Sequence, residues 1–344
     1  MTEAQAREII TKAKKDLGDR LVILGHHYQS DDIIAFADYV GDSLELARKA
    51  SQIESAQYIV LCGVYFMAET AAILAPGKSV FIPERGAGCP LADMAKIDDV
   101  AAAWHSITRI SPSVIPVTYV NSSAELKAFC GRNLGAVCTS ANAAKVVAWA
   151  LKGGSKVLFM PDMNLGRNTA FKMGIPDEEV ILWNPGLRGG GVSESDIAGA
   201  RVILWKGWCP VHCPVFTKED VEKVRSRYPD IPVMVHPETD PDTVKAAGSS
   251  GSTSQMLEYI ESLPQGARLV VGTEANMVKR AAKKNAGRVE VIPLKEVYCD
   301  DMARITLPKL AETLMKVKTG EARVELQGPI AEDARKALDA MLRI

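Results

Sequence analysis

The stretch GWCPVHCP, residues 207–214, places two cysteines and a histidine within five positions. Thiolate and imidazole groups bind transition metals, and paired thiols can also exchange electrons. The stretch could therefore be a metal site, a redox pair or a turn that happens to hold thiols. Zinc held by Cys209, His212 and Cys213 is one option, but the sequence offers no second close pair of ligands to complete the tetrahedron that zinc prefers.

Two distant cysteines share a pattern with each other. Cys89 and Cys299 each stand six residues after a proline that closes an apolar run. A third run of this kind has Arg167 at the matching place, so the pattern predicts that Cys209 supplies the missing thiolate. Three thiolates from distant loops suit a cubane iron–sulfur cluster with one open iron better than zinc. The alternative of three unrelated buried thiols stays open on spacing alone.

The remaining cysteines are better explained as apolar residues or bystanders. The chain has seven cysteines, an odd number that argues against a disulfide framework in a reducing compartment. Cys62, Cys130 and Cys138 are interpreted as core residues, since a free cysteine packs as a small hydrophobe. Cys213 is the main rival of Cys209, but a proline follows each of the two, and two such turns would direct the thiols apart.

Polar side chains follow three of the apolar runs. These runs, near residues 21–24, 114–117 and 232–235, are continuous rather than alternating, which is typical of parallel strands buried on both faces. Ligands bind outside the carboxyl ends of parallel strands, so three sheets that meet end to end would enclose one central site. The side chains expected there are His26, Tyr28, Tyr119, Asn121, His236 and Glu238.

One pattern of strands and helices occurs three times along the chain. CTSAN at 138–142 and GTEAN at 272–276 match at three letters and are aligned as equivalent strand ends. The repeats predict an α/β fold of three pseudo-symmetric αβα domains with short parallel sheets. The domains are expected at 1–105, with 300–344 returning onto it, at 106–190 and at 191–299. Gly189 to Gly191 fit a flexible connector and candidate hinge between the second and third domains, because no nucleotide-binding motif accompanies them.

Composition excludes several classes of function. The net charge is −1, from 41 basic and 42 acidic residues, so no basic surplus is available for nucleic acid or an anionic membrane. No apolar run reaches the ~20 residues that span a bilayer. A charged helix is predicted over residues 2–17, with Thr2 and Gln5 as a capping box, where a signal peptide would be apolar. Small-molecule chemistry in the cytoplasm is expected.

In their order and spacing, the motifs resemble those of the quinolinate synthase family over nearly the whole chain. They are HHYQ, GDS, CGVYFMAET, AGCPLADM, YVNSSAELKA, CTSANA, FMPDMNLG, WKGWCPVH, HPET, GSTSQM, GTE and CDDMARITL. The resemblance implies three domains around a central [4Fe–4S] cluster held by Cys89, Cys209 and Cys299, with Cys213 outside it. The chain departs from the family at His27, where asparagine is frequent, and at Thr239, where cysteine is frequent.

The resemblance also implies a reaction. Iminoaspartate condenses with dihydroxyacetone phosphate to give quinolinate, phosphate and two waters, and L-aspartate oxidase or aspartate dehydrogenase supplies the iminoaspartate. By resemblance Tyr28 handles proton transfers and Glu238 acts with the open iron in the last dehydration, while His212 is expected to be catalytic with them. Donors for the substrate carboxylates and phosphate are expected from His26, Ser43, Tyr119, Asn121, Ser140, His236, Ser252 and Thr253.

Some alternatives remain at this stage. The hydroxyl residues among these donors stand where helices begin, and each would serve equally well as a helix cap. An aconitase-like hydro-lyase would use the same open iron. A cluster-bearing redox or iron sensor would need the cysteines but not Tyr28 or Glu238.

Overall fold

The computed structural model describes residues 1–152 and 154–344, and the strands of these residues form three parallel sheets. The first sheet has the order β2-β1-β3-β4, with β1 Leu21–His26, β2 Tyr39–Gly41, β3 Tyr58–Cys62 and β4 Ser79–Phe81. The second has the order β6-β5-β7-β9-β8, with β5 Val114–Tyr119, β6 Ala136–Cys138, β7 Lys156–Met160, β8 Val180–Trp183 and β9 Val202–Trp205. The third has the order β11-β10-β12-β13, with β10 Val233–Val235, β11 Gly248–Ser250, β12 Ala267–Gly272 and β13 Val289–Pro293. The predicted α/β class with three short parallel sheets is confirmed.

Helices alternate with the strands. The first begins as the sequence predicts: Thr2 accepts the backbone N–H of Gln5, and the Gln5 side chain accepts that of Thr2. The helices before β9 are α1 Glu3–Leu17, α2 Asp31–Ile34, α3 Ser43–Gln52, α4 Tyr65–Leu74, α5 Pro90–Asp93, α6 Ile97–Ile110, α7 Ala124–Arg132, α8 Ala143–Ala150, α9 Met163–Lys172 and α10 Glu194–Gly199. Those after it are α11 Lys218–Arg227, α12 Pro241–Ala247, α13 Thr253–Ser262, α14 Ala275–Lys284, α15 Asp300–Ala303, α16 Leu307–Lys316 and α17 Gly328–Arg343.

The sheets share a strand order, but the predicted alignment of CTSAN with GTEAN is wrong. CTSAN follows β6, an edge strand, whereas GTEAN follows β12, which lies between two other strands. By position in the sheet, β6 corresponds to β2 and β11, and β12 corresponds to β3 and β7. Strands β2 and β11 are short and largely solvent-accessible, so they lack the apolar run by which the other strands were recognised.

The corrected alignment changes the argument about the thiols. Strands β4, β9 and β13 each lie beside the third strand of their sheet, and the loops after them carry Cys89, Cys209 and Cys299. Cys209 is therefore the direct counterpart of the other two and not a substitute for them. Arg167 lies on α9, after β7, and is not equivalent to a cysteine.

The glycine run is not a hinge between domains. Gly189 to Gly191 connect β8 to the segment before β9, and these two strands are neighbours in the second sheet. All three glycines have positive φ, between 60° and 72°. At Gly190 a Cβ would also lie 2.3 Å from the ring of Trp183. Glycine is required there for a tight turn against an aromatic ring.

The segment 300–344 divides between two sheets. Helix α16 packs against α1, whereas α17 packs mainly against α7 and β6. A Cβ at Gly131 of α7 would lie 1.9 Å from the Asp333 carbonyl, so glycine allows α17 to approach closely. The domain boundaries stay a prediction; β9, which lies beyond residue 190, belongs to the second sheet.

The apolar core follows the same division. One cluster is continuous between the first two sheets and the C-terminal helices, whereas the third sheet has a separate cluster on each of its faces. Within the described residues, no helix is both long and apolar enough to cross a membrane.

Candidate functional site

A cavity of about 200 Å³ lies where the carboxyl ends of the three sheets meet. It is an enclosed site of the kind that the strand ends predict, and its size suits a small molecule. Every predicted site residue except Ser252 lines it, namely His26, Tyr28, Ser43, Cys89, Tyr119, Asn121, Ser140, Cys209, His212, His236, Glu238, Thr253 and Cys299.

The repeated strand order places equivalent side chains around this cavity. The first strand of each sheet, β1, β5 or β10, ends at the predicted pairs of polar residues. The edge strand beside it, β2, β6 or β11, is followed by a hydroxyl residue. The strand at the fourth place in the sheet order, β4, β9 or β13, is followed by a cysteine. The hydroxyl set is Ser43, Ser140 and Thr253, and the thiol set is Cys89, Cys209 and Cys299.

Ser252 has a structural task. It is the N-cap of α13, where its Oγ accepts the N–H of Gln255 at 3.3 Å, and the Gln255 side chain accepts the Ser252 N–H at 2.9 Å. At α3 the cap is Asp42 and not the serine, so the hydroxyl of Ser43 is not used as a cap.

A hydrogen-bonded chain connects three of the strand ends. The Tyr28 hydroxyl lies 2.9 Å from Thr273 Oγ1, which lies 3.0 Å from His212 Nε2. His212 Nδ1 lies 2.6 Å from Glu238 Oε2. The His212 ring also stacks on that of His236, with centroids 4.3 Å apart. A proton could therefore move between a phenol and a carboxylate through protein groups alone.

Glu238 is a buried carboxylate that the surrounding groups keep ionised. Burial alone raises the pKa of Glu238, but the imidazoles of His236 and His212 and the nearby Tyr119 hydroxyl outweigh it, so the pKa is lower than usual. Among the described residues, no side chain or backbone group hydrogen-bonds to Glu238 Oε1. The carboxylate thus keeps one acceptor oxygen for a ligand.

His26 and His236 are neutral and have the same tautomer. The Nδ1 of His26 accepts the Tyr28 N–H at 3.1 Å, and that of His236 accepts the Glu238 N–H at 3.3 Å. The proton of each neutral ring then lies on Nε2. Burial, followed by the charge of neighbouring histidines, lowers the pKa of each to about 3. Both rings can therefore act as hydrogen-bond donors at neutral pH.

The three predicted ligand thiols are partly buried and lie in the cavity wall. Burial raises the pKa of Cys89 to about 12 and that of Cys299 to about 11, and it raises the pKa of Cys209 strongly. A cation is needed to make such thiols release their protons. Backbone N–H groups near each sulfur partly oppose this rise in pKa, those of Ala92 and Leu91 at Cys89, of Val211 at Cys209, and of Met302 and Asp301 at Cys299.

The other cysteines lie away from the cavity wall. Cys62, Cys130 and Cys138 are fully buried in the core, as predicted. Cys213 is partly buried, and burial raises the pKa of its thiol. None of these four is among the residues that line the cavity in the described part of the chain.

A smaller group could also hold a single metal ion. One ligand atom each of Cys209, His212 and Glu238 lies within 4.8 Å of the others. Both ring nitrogens of His212 already have partners, however, so a metal bound there would have to replace Glu238 or Thr273. A metal group held by Cys89, Cys209 and Cys299 would not have to replace either hydrogen-bond partner of His212.

Sequence reasoning missed two residues of this site. Thr273 joins Tyr28 to His212, and Asp162 is fully buried with Oδ1 bonded to the Leu165 N–H at 2.8 Å and Oδ2 without a partner among the described residues. Thr273 follows β12 and Asp162 follows β7, and each of these strands has the third place in the order of its sheet. Their motifs, GTEAN and PDMN, were recognised, but only a correct alignment of the repeats would have shown that the two residues follow equivalent strands.

Comparison with known proteins identifies relatives over the full extent of this fold. The family model described as Quinolinate synthetase A protein matches residues 8–343. The chain is 45% identical to the quinolinate synthase of Corynebacterium glutamicum, over 97% of this chain and 86% of that protein. It is 43% identical to that of a Nocardioides species, over 96% and 87%. It is 40% identical to that of Listeria monocytogenes serovar 1/2a, over 100% and 95%.

Proposed function

Because the chain belongs to the quinolinate synthetase A family, we propose that it condenses iminoaspartate with dihydroxyacetone phosphate to quinolinate, phosphate and two waters, as an enzyme of NAD biosynthesis. The observation that carries the proposal is the shared cavity: three thiols, Tyr28 and Glu238 line the same small space. A dehydrating condensation needs a Lewis acid and acid–base groups on the same substrate, and this space brings both together.

The three thiols are proposed to hold a [4Fe–4S] cluster. The donor set fits, because each of the three thiols lines the cavity, and nearby backbone N–H groups favour its thiolate form. Such N–H groups stabilise sulfur charge in iron–sulfur sites. When bound, a cluster with three cysteine ligands supplies one open iron, a Lewis acid that polarises a substrate oxygen. The residues Cys89, Cys209 and Cys299 are the proposed ligands.

Substrate anions are proposed to bind to neutral donors. The Nε2–H groups of His26 and His236 and the side chains of Tyr119 and Asn121 can donate to carboxylates. Ser43 and Thr253 are the first residues of α3 and α13, where backbone N–H groups also favour anions. With Ser140, these hydroxyls are the proposed donors for the remaining carboxylate and the phosphate. Ser252 supports them indirectly by capping α13.

Proton transfer is assigned to the chain from Tyr28 to Glu238. Burial, with the Glu238 charge second, raises the pKa of Tyr28 well above its usual range, so the phenol is protonated and can act as an acid. Glu238 is the complementary base, since its carboxylate is ionised and has a free oxygen. The Thr273 hydroxyl can accept from one neighbour while it donates to the other. The protons of imine formation and dehydration thus have a route that does not require bulk water.

The remaining assignments follow from the reaction. Iminoaspartate is unstable in water, so L-aspartate oxidase or aspartate dehydrogenase is proposed as its source. The cytoplasm is the proposed location, and neither nucleic acid nor a membrane is a proposed partner.

Product analysis tests the proposed function. Anaerobically purified protein, with its iron and sulfide counted, is incubated with iminoaspartate and dihydroxyacetone phosphate, and quinolinate is measured by mass spectrometry. Quinolinate formation supports the proposal. An aconitase-like hydro-lyase would instead hydrate or dehydrate a hydroxy acid without forming a ring. A sensor would hold the cluster and give no product, with or without Tyr28 and Glu238.

A further inference from the structure

The cavity has an unusual balance of charge for its proposed ligands. Among the described residues, its lining contains carboxyl groups and thiols but neither lysine nor arginine. The proposed substrates add two carboxylates and a phosphate ester, and a metal group held by three thiolates adds further negative charge. Anions that enter a buried site need a nearby positive charge or a large number of donors. A cation that lies behind the wall could meet this need.

Lys127 is such a cation. It lies on α7 and is fully buried, and its ammonium group lies 5.3 Å from the centroid of the Phe66 ring. Phe66 and Cys89 both line the cavity, and a thiolate at Cys89 would raise the pKa of Lys127. Burial lowers the pKa of Lys127 to about 8, which leaves the ammonium largely protonated at neutral pH. A buried lysine is rare unless it has a specific partner or task.

The partner of Lys127 is the turn that carries two cavity residues. Its Nζ donates to the carbonyl oxygen of Ser122, and the Ser122 hydroxyl donates to the carbonyl of Tyr119 at 2.7 Å. Tyr119 and Asn121 both line the cavity. Lys127 therefore fixes the turn between β5 and α7 without lining the cavity itself.

Glu69 opposes this charge from α4. Its carboxylate accepts the Ala124 N–H at 3.1 Å, at the start of α7. Burial raises the pKa of Glu69, and the charge of Lys127 opposes that rise. Glu69 lines a neighbouring groove that shares Phe66, Gly88 and Cys89 with the main cavity. Lys127 and Glu69 are thus a pair of opposite charges behind the Cys89 side of the site.

We propose that Lys127 is a positioning residue whose buried positive charge holds the 119–123 turn and favours negative charge in the cavity. For the substrates this inference rests on the proposed function; for a metal group at Cys89 it rests on the three thiols. The ammonium stabilises a bound anion, and it also stabilises an added electron on a metal group close to Cys89. The negative charge of Glu69 destabilises both the bound anion and the added electron.

Two nearly isosteric variants test the sign of this effect. Lys127→Met removes the positive charge, and Glu69→Gln removes the negative charge. Each is purified anaerobically, matched to the parent in iron content, and measured for the midpoint potential of the cluster and for kcat and KM of quinolinate formation. Lys127→Met is expected to shift the potential to more negative values and to raise KM for dihydroxyacetone phosphate several-fold, because the buried charge no longer attracts the phosphate through the cavity wall. Glu69→Gln is expected to shift the potential to more positive values.

The opposite signs exclude a purely structural role. Loss of packing would move both variants in the same direction, and that result, or two unchanged potentials, would overturn the proposal. If Lys127→Met does not fold, Lys127→Gln takes its place, and a shift of its potential to more negative values is still required. A parent that forms no quinolinate would refute the proposed function, while the potentials would still decide the role of Lys127.

Discussion

Replacing Thr273 with valine removes one hydroxyl from the hydrogen-bonded chain without changing the shape of the side chain. In the parent, Thr273 Oγ1 lies 2.9 Å from the Tyr28 hydroxyl and 3.0 Å from His212 Nε2. Thr273→Val leaves both groups buried without this partner. Each unsatisfied buried group costs about 1–3 kcal/mol of stability. If protons pass through Thr273, turnover falls by about 10²–10⁴-fold, which corresponds to roughly 3–5 kcal/mol of activation free energy.

A matched control separates catalysis from stability. Thr243 is another buried threonine, and its hydroxyl is 3.5 Å from the Phe216 carbonyl, outside the cavity lining. Thr243→Val should reduce the unfolding temperature at most, with turnover close to that of the parent. Both variants are assayed for quinolinate after their cluster absorption is matched to the parent. Full turnover in Thr273→Val, with the cluster intact, would refute the assignment of proton transfer to this chain.

Three other outcomes are expected. Cys209→Ser should lose the iron–sulfur absorption and quinolinate formation, as should serine at the other two proposed ligands, whereas Cys213→Ala should keep both; the reverse pattern would refute the ligand assignment. Glu238→Gln should keep the cluster but lose about 10²–10⁴-fold in turnover, so a fully active variant would remove Glu238 from the mechanism. Folded His26 and His236 have a pKa of about 3, below the ~6.5 of unfolded histidine, so the unfolded state binds protons first. Stability should therefore fall as the pH drops from about 6.5 towards 3, with a shallower slope in His26→Gln, and thermal unfolding against pH measures this.

The polar strand ends were predictable because the sequence signal and the geometry coincide there. A continuous apolar run that stops at polar residues defines the carboxyl end of a buried parallel strand, and His26 and Glu238 both lie at such ends in the structure. The α/β class followed from the same runs. The three loops that carry the predicted ligand cysteines follow strands of three different sheets, and in the structure they line one cavity.

Other parts of the site could not be read from the sequence. The edge strands Tyr39–Gly41 and Gly248–Ser250 have three residues each and no apolar run, so the repeats were aligned at the wrong strand. Thr273 acts through two neighbours that are distant in the chain, and spacing holds no information on such contacts. Lys127 has an ordinary helical context, and only the packing of α7 against α17 and α4 shows that it is buried.

Anomalous diffraction at the iron edge tests the central claim most directly. Crystals grown anaerobically from cluster-containing protein should show an iron peak bounded by the sulfurs of Cys89, Cys209 and Cys299, with His212 still bonded to Glu238 and Thr273. A single ion held by Cys209, His212 and Glu238 would contradict the account.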